Sequence, residues 1–219
     1  AVDCLKEGAF DFLIKPYVTE ELLVSINNAL NKKNLEKHKR NLLDQSIKRF
    51  KIIGSSPIMQ RLKGDIERYA DSSATVLIGG ETGTGKELIA NQLHYMSPRA
   101  AEPLQVINCA AVPKELADSE LFGHIKGAFT GAITDKPGKV EIADKGSLFL
   151  DEIGEMPLEL QAKLLRFLEN KEFERIGENK VRRSDVRVIA ATHRDLPEQV
   201  KEGKFRQDLY YRLNVCTIS

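Results

Sequence analysis

The sequence predicts an α/β protein: a doubly wound parallel sheet preceded by a piece of a smaller α/β unit and a polar helix. Three observations carry that prediction. From Ile52 onward, short apolar runs alternate with stretches of helical periodicity. One run, Val76-Leu77-Ile78, feeds a glycine-rich loop closed by Lys86. Another, Leu148-Phe149-Leu150, ends on two adjacent acids, Asp151 and Glu152.

Taken in order, Leu5 through Ala9 read as the end of a helix stopped at Gly8, and Phe10–Ile14 as a short apolar strand closed by Lys15-Pro16. Thr19, followed by Glu20 and Glu21, starts an amphipathic helix with Leu22, Leu23, Ile26, Ala29 and Leu30 on its apolar face. One strand leaves its sheet edges unpaired, so this piece is expected to be cut from a larger unit. Residues 31–50 read as a polar connecting helix, and the seven-residue spacing of Leu35 and Leu42 permits a short coiled-coil seam. Ser56 caps a helix that has Pro57 at its first position and runs towards Ala70. Strands follow at Thr75–Ile78, Leu104–Asn108, Leu148–Leu150, Val186–Ala191 and Val215–Ile218. Helices are expected over residues 85–96 and 158–169, the second with Leu160, Leu164, Leu165 and Leu168 facing the core.

Composition narrows the class. The chain has 219 residues, 42% hydrophobic and 30% charged, as in a soluble protein that buries a core. No apolar run approaches the ~20 residues that span a bilayer, so no membrane partner is expected and the cytoplasm is the expected compartment. Cys4, Cys109 and Cys216 are odd in number and far apart, which favours packing in a reducing compartment over disulfides or metal. Residues 31–51 hold eight Lys or Arg against two acids, so this stretch is +6 and the remainder −5. A polyanion-binding arm is one reading; a solvated linker helix is the one favoured.

Gly80-Glu81-Thr82-Gly83-Thr84-Gly85-Lys86 has G-x-x-x-x-G-K spacing in a strand–loop–helix context. Glycines let backbone N–H groups converge on phosphate oxygens, the helix N-terminus adds positive potential, and Lys86 neutralises the β- and γ-phosphates. Glu87 stands where a Ser or Thr usually offers Mg²⁺ a hydroxyl. The metal must then lean on phosphate oxygens, water and Asp151, which a strand delivers to the ligand-binding edge of such sheets. Glu152 suits polarising an attacking water. Between these two halves lies Gly127-Ala128-Phe129-Thr130-Gly131-Ala132, a loop whose tip presents one ring and one hydroxyl. A nucleotide site on both sides of it suggests that hydrolysis moves the loop. His124 and His193 lack a second ligand at metal spacing and read as hydrogen-bonding histidines.

Over residues 54–219 the chain resembles the sigma-54-dependent transcriptional activators, the NtrC-like branch of the AAA+ P-loop ATPases. The resemblance rests on Gly80–Glu87, Asn108-Cys109-Ala110-Ala111, Glu120-Leu121-Phe122-Gly123-His124, Gly127–Ala132, Leu148–Glu152 and residues 205–213. Glu87 after the lysine is usual in that branch. Residues 8–16 are similar to the last strand and Lys-Pro turn of a response-regulator receiver (flavodoxin-like) domain, with a cis bond before Pro16. The implied organisation is the end of a receiver over 1–31, a linker helix over 32–51 and an ATPase core over 52–219. The core would lack its helical lid, and a DNA-reading domain would follow.

The resemblance implies an ATP- and Mg²⁺-dependent ring of six or seven subunits that remodels the sigma-54 RNA polymerase holoenzyme. A sensor histidine kinase would act on the receiver, and enhancer DNA would be bound by a region outside this chain. Phe129 and Thr130 would touch the sigma factor, Asn108 would sense and switch Glu152, and Thr192 would sense the γ-phosphate. Arg206 and Arg212 would reach the neighbouring subunit's site as arginine fingers, with unequal roles because six residues separate them. Two rivals stand beside this reading: a nucleotide-stabilised binding module without turnover, and an AAA+ enzyme with another client, such as a metal chelatase or protease partner.

Overall fold

Five parallel strands of the computed structural model form one sheet, β1 (Val76–Gly79), β2 (Leu104–Asn108), β5 (Ser147–Asp151), β8 (Arg187–Thr192) and β9 (Cys216–Ile218), in the order β2-β5-β8-β1-β9. The structure describes residues 9–16 and 18–219. The expected helix end at Leu5–Gly8 and Cys4 lie outside the described residues. Chain contacts divide the protein into two units, residues 1–46 and 47–219.

Alternation along the strands explains why the central ones, β1, β5 and β8, are apolar on both faces. Leu77, Leu148, Leu150, Val188 and Ala190 point to one face and join Leu121, Phe122, Leu160, Leu164 and Phe167. Val76, Ile78, Phe149, Ile189 and Ala191 point to the other and join Ile66, Ala90 and Leu93. A parallel sheet covered on both sides must bury both side-chain sets. Helix α2 (Pro57–Ala70) and α3 (Lys86–Tyr95) cover the second face. Ser56 caps α2, its hydroxyl accepting the Met59 N–H at 3.3 Å. The first face carries α4 (Lys114–Phe122), α5 (Lys139–Ile142), α6 (Leu158–Asn170), α7 (Leu196–Lys201) and α8 (Gln207–Leu213). In α6 the fully buried residues at the C-terminal end are Leu164, Phe167 and Leu168; Leu165, expected in the core, is only partly buried.

Arg187 opens β8 fully buried, and its guanidinium donates to the carbonyls of Tyr69, Ala70 and Leu93, at 2.5, 2.9 and 3.4 Å. It thereby adds a charged donor to carbonyls at the C-terminal ends of α2 and α3, of which Tyr69 O also accepts the Ser72 N–H at 3.1 Å. Nearby, His94 is 1% exposed, with Nδ1 2.9 Å from the Ser147 hydroxyl. Burial holds its imidazole down to about 4, against an ordinary 6.5. The unfolded chain therefore binds the extra proton first. Stability should fall as pH drops from 6.5 towards 4, by up to ~3 kcal/mol below that window. His94→Gln should flatten the loss in chemical denaturation at pH 7 and 4.5; an equally steep loss in the variant would rule the cause out.

In the first unit, residues 10–14 form no ladder, in contrast to the strand expected there, because no second strand among the described residues lies beside them. Asp11 instead accepts the Phe12 N–H at 2.8 Å and the Ser25 hydroxyl at 2.7 Å, tying the segment to a helix. That helix, α1 (Thr19–Arg49), runs unbroken through the boundary expected at 31/32. The Lys15–Pro16 bond is cis. Leu23, Ile26, Leu30, Leu35 and Leu42 are exposed on α1, so its apolar residues form no buried face among the described residues.

Candidate nucleotide site and its loop

Parallel pairing collects the site at one edge of the sheet. Asn108 pairs with Asp151 in register, and Gly79 with Thr192, so four adjacent strands end together. The crevice between β8 and β1 is where successive connections depart in opposite directions, the position where open α/β sheets bind ligands. The Gly80 N–H donates to the Thr192 carbonyl at 3.2 Å, anchoring the loop to β8. Gly83 and Gly85 take φ of +84° and +89°, a region open to glycine without steric cost. Lys86 and Glu87 begin α3, where amide N–H groups have no intrahelical acceptor and can face an anion.

Lys86 is 7% exposed, and its ammonium donates to the Gly80 and Glu81 carbonyls at 2.9 and 3.0 Å. It also lies 3.4 Å from Glu152 Oε1. The other oxygen, Oε2, is 2.6 Å from His193 Nδ1 and accepts the His193 backbone N–H at 3.2 Å. Burial alone would raise the Glu152 carboxyl, but the two bonds from His193 and the Lys86 charge bring it below the usual range. Glu152 itself sits at φ +52°, ψ +51°, an arrangement that costs a non-glycine residue ~1–3 kcal/mol and concentrates at functional sites. Asp151 moves the opposite way: burial and the Glu152 charge push its carboxyl up. The same surroundings hold the Cys109 thiol up at about 12, leaving it protonated and unreactive.

One expected contact differs. Asn108 Nδ2 donates to Asp151 Oδ2 at 3.0 Å rather than to Glu152, because the strand register sets it beside Asp151. Thr192 is 3% exposed and its hydroxyl accepts the Arg194 N–H at 3.0 Å. His193, the next residue, supplies the side chain that reaches Glu152; its position just past an apolar strand, in line with the acid pair, was the available signal. Arg206 forks onto Asp208 at 2.7 and 3.1 Å, while Arg212 donates to the Leu168 carbonyl at 3.1 Å. Among the described residues neither is hydrogen-bonded or ion-paired to the glycine loop or the acid pair. Gln161, buried in α6 and overlooked in the sequence because it is polar, accepts the Arg206 N–H at 2.8 Å.

The loop at 127–132 rises from a two-stranded ladder, β3 (Gly123–His124) with β4 (Lys136–Pro137). A Cβ at Gly123 would lie 2.5 Å from Gly138 N and Lys136 O, so only glycine fits this crossing. The Gly127 N–H donates to the Ala132 carbonyl at 2.8 Å, closing the loop's neck. Phe129 is 36% exposed and meets the His124 ring edge-on at 5.0 Å. His124, with Nδ1 2.7 Å from the Ser119 hydroxyl, is a hydrogen-bonded histidine, as expected. Among the described residues no cluster of His, Cys, Asp or Glu suits a metal, and no helix is long and apolar enough to cross a membrane. A hollow of about 270 Å³ beside Phe122, Phe173 and Val181 contains none of the residues of the glycine loop or acid pair.

Comparison with known proteins agrees with this geometry. The chain is 53% identical over 218 residues to the regulatory protein AtoC of Escherichia coli K12, covering 98% of this chain and 47% of that protein. It is 49% identical over 218 residues to the regulatory protein LuxO of Vibrio cholerae, covering 100% and 48%. The chain thus spans about half the length of these curated relatives. Among solved structures, NtrX from Brucella abortus in complex with ATP superposes with a TM-score of 0.78 at 36% identity, covering 99% of this chain and 46% of that one. A P-loop NTPase domain from E. coli, at 17% identity and TM-score 0.52, shares the fold. Residues 52–219 match the model of the Sigma-54 interaction domain, and the chain belongs to that family of P-loop NTPase-fold regulators.

Proposed function

We propose that this chain supplies the ATP-hydrolysing core of a transcriptional activator that remodels the sigma-54 RNA polymerase holoenzyme so that the open complex forms. The observation that carries the reading is a continuous connection between the acid pair and the 127–132 loop. Asn108 binds Asp151 through its amide nitrogen, and its amide oxygen accepts the N–H groups of Ala110 and Ala111 at 2.9 and 3.1 Å. That turn leads into α4, whose Ser119 holds His124, and His124 seats Phe129. A displacement at Asp151 therefore has a packed route to the loop.

Within the site, the loop Gly80–Glu87, through its backbone N–H groups, and the Lys86 ammonium would hold the triphosphate. Glu152 would accept a proton from the attacking water, and Thr192 would mark the γ-phosphate position. Asp151 is the residue that would hold Mg²⁺, whose charge would offset that of the phosphates. The glycine conformations and the helix start suit the triphosphate, and the Asp151 carboxylate at the end of β5 suits the cation. Arg206 and Arg212 would act on a neighbouring protomer in a ring of six or seven. Residues 1–31 would end a receiver answering to a sensor histidine kinase, residues 32–51 would link it to the core, and enhancer DNA would be bound by a region outside this chain. Gly127 to Ala132, with Phe129 and Thr130 at the tip, would form the sigma-54 contact.

Thr130→Ala tests the coupling. In the full-length protein the variant should hydrolyse ATP at wild-type rate and lose transcription from a sigma-54 promoter, since the exposed loop takes no part in the nucleotide site. Normal transcription by this variant would remove the loop from the mechanism.

A further inference from the structure

We infer that His193 is a positioning residue that parks Glu152 away from its working orientation. The inference rests on the reading that Glu152 activates water. In the structure both Glu152 oxygens are engaged, Oε1 facing Lys86 at 3.4 Å and Oε2 held twice by His193, through ring and backbone. A carboxylate with both oxygens engaged in this way has no free lone pair turned toward an attacking water. The two holds differ in kind. Lys86 belongs to the phosphate-binding loop, so an incoming triphosphate competes with Glu152 for its charge. His193 sits outside that loop, at the end of β8, and nothing in phosphate binding by the loop releases it.

The contact is built by the fold rather than by a long flexible side chain. His193 follows Thr192, whose carbonyl accepts the Gly80 N–H and whose hydroxyl accepts the Arg194 N–H. Glu152 is aimed at it by its left-handed backbone and by the short 3-10 turn Ile153–Glu155 that follows. That turn is tied to the same β8 end by the Arg194–Glu155 ion pair. Asn108 contributes nothing to this hold, since its amide nitrogen is on Asp151. The parked state is thus a property of the junction between β5 and β8, and leaving it requires breaking the ring's bond to Oε2.

The test is steady-state and single-turnover ATP hydrolysis by the full-length protein carrying His193→Ala, His193→Asn and Glu152→Gln, alone and combined. The His193 side chain is 39% exposed, so its removal leaves the core intact. His193→Ala should raise kcat about tenfold, the factor expected when one hydrogen bond to a charged group is lost from the resting position only, with KM for ATP unchanged. His193→Asn, which places an N–H near Nδ1, should return kcat to the wild-type value, a rescue that a packing role would not give. An unchanged or lower kcat in His193→Ala overturns the proposal, as does failure of the Asn rescue. If Glu152→Gln alone keeps its turnover, the assignment of Glu152 as base fails instead. If Glu152→Gln abolishes turnover and His193→Ala brings no gain, only the parking role fails.

Discussion

Glu152→Gln in the full-length protein should bind ATP as tightly as wild type while hydrolysing it ~10²–10⁴-fold more slowly, the usual contribution of a positioned general base. The substitution keeps the shape of the side chain and its acceptor oxygen but removes the charge and the basicity. Phosphate binding rests elsewhere, on the glycine loop, the start of α3 and Lys86, none of which depends on a Glu152 hydrogen bond to keep its conformation. The ion pair between Lys86 and Glu152 is lost, which frees the ammonium for phosphate and gives no reason for weaker affinity. The backbone of residue 152 remains at positive φ in the variant, so any strain there is unchanged. Binding is followed with a fluorescent ATP analogue and turnover by phosphate release. Hydrolysis within a few-fold of wild type would falsify the role of Glu152, and with it the hydrolytic reading of the acid pair.

How much of this was legible in the sequence depends on the kind of signal. The central strands β1, β5 and β8 were readable because each holds a compact apolar run buried on both faces, and β2 and β9 because their shorter apolar runs continue the strand–helix alternation. The glycine loop and the acid pair were readable because their chemistry demands particular residue types at fixed spacing. The two hairpins were not: β3 and β4, and likewise β6 (Glu172–Phe173) and β7 (Arg182–Arg183), have two residues per strand and no alternation to detect. Residues 10–14 misled for the opposite reason, since an apolar run is a strand only where a neighbour completes its hydrogen bonds. Leu165 was taken for core, and Phe167 missed, because a single helical position, about 100° of rotation, separates buried Leu164 from half-buried Leu165, and Phe167 stands about 200° round from Leu165 on the buried side. The Asn108–Asp151 and His193–Glu152 contacts are set by register between β2 and β5 and by the end of β8. Neither is a local property of the residues that make them.

Arg212→Ala should lower ATP turnover by ~10³–10⁵, the range associated with a cation supplied across an interface to the leaving phosphates. Neither Arg206 nor Arg212 is bonded to the glycine loop or acid pair of its own chain among the described residues, so a cis role has no contact to support it. Their tethers differ. Arg206 is neutralised by a two-bond fork to Asp208, which must open before the guanidinium can serve a phosphate. Arg212 rests on a single carbonyl, that of Leu168, and keeps its charge uncompensated by any described carboxylate. The larger loss is therefore expected at Arg212, with Arg206→Ala lowering turnover less. Arg212→Ala removes the bond to Leu168, but α8 stays held to α6 by the Arg206 N–H bond to Gln161 and by buried Leu209 and Leu213, so the loss is not a consequence of a displaced helix. Mixing settles whether the cation acts in trans. Arg212→Ala protomers retain Glu152, and Glu152→Gln protomers retain Arg212, so a mixed ring contains junctions with one intact group from each. Turnover should reappear on mixing the two inactive proteins. If the mixture stays as inactive as its components while both still assemble, Arg212 serves its own chain and the ring-dependent mechanism fails.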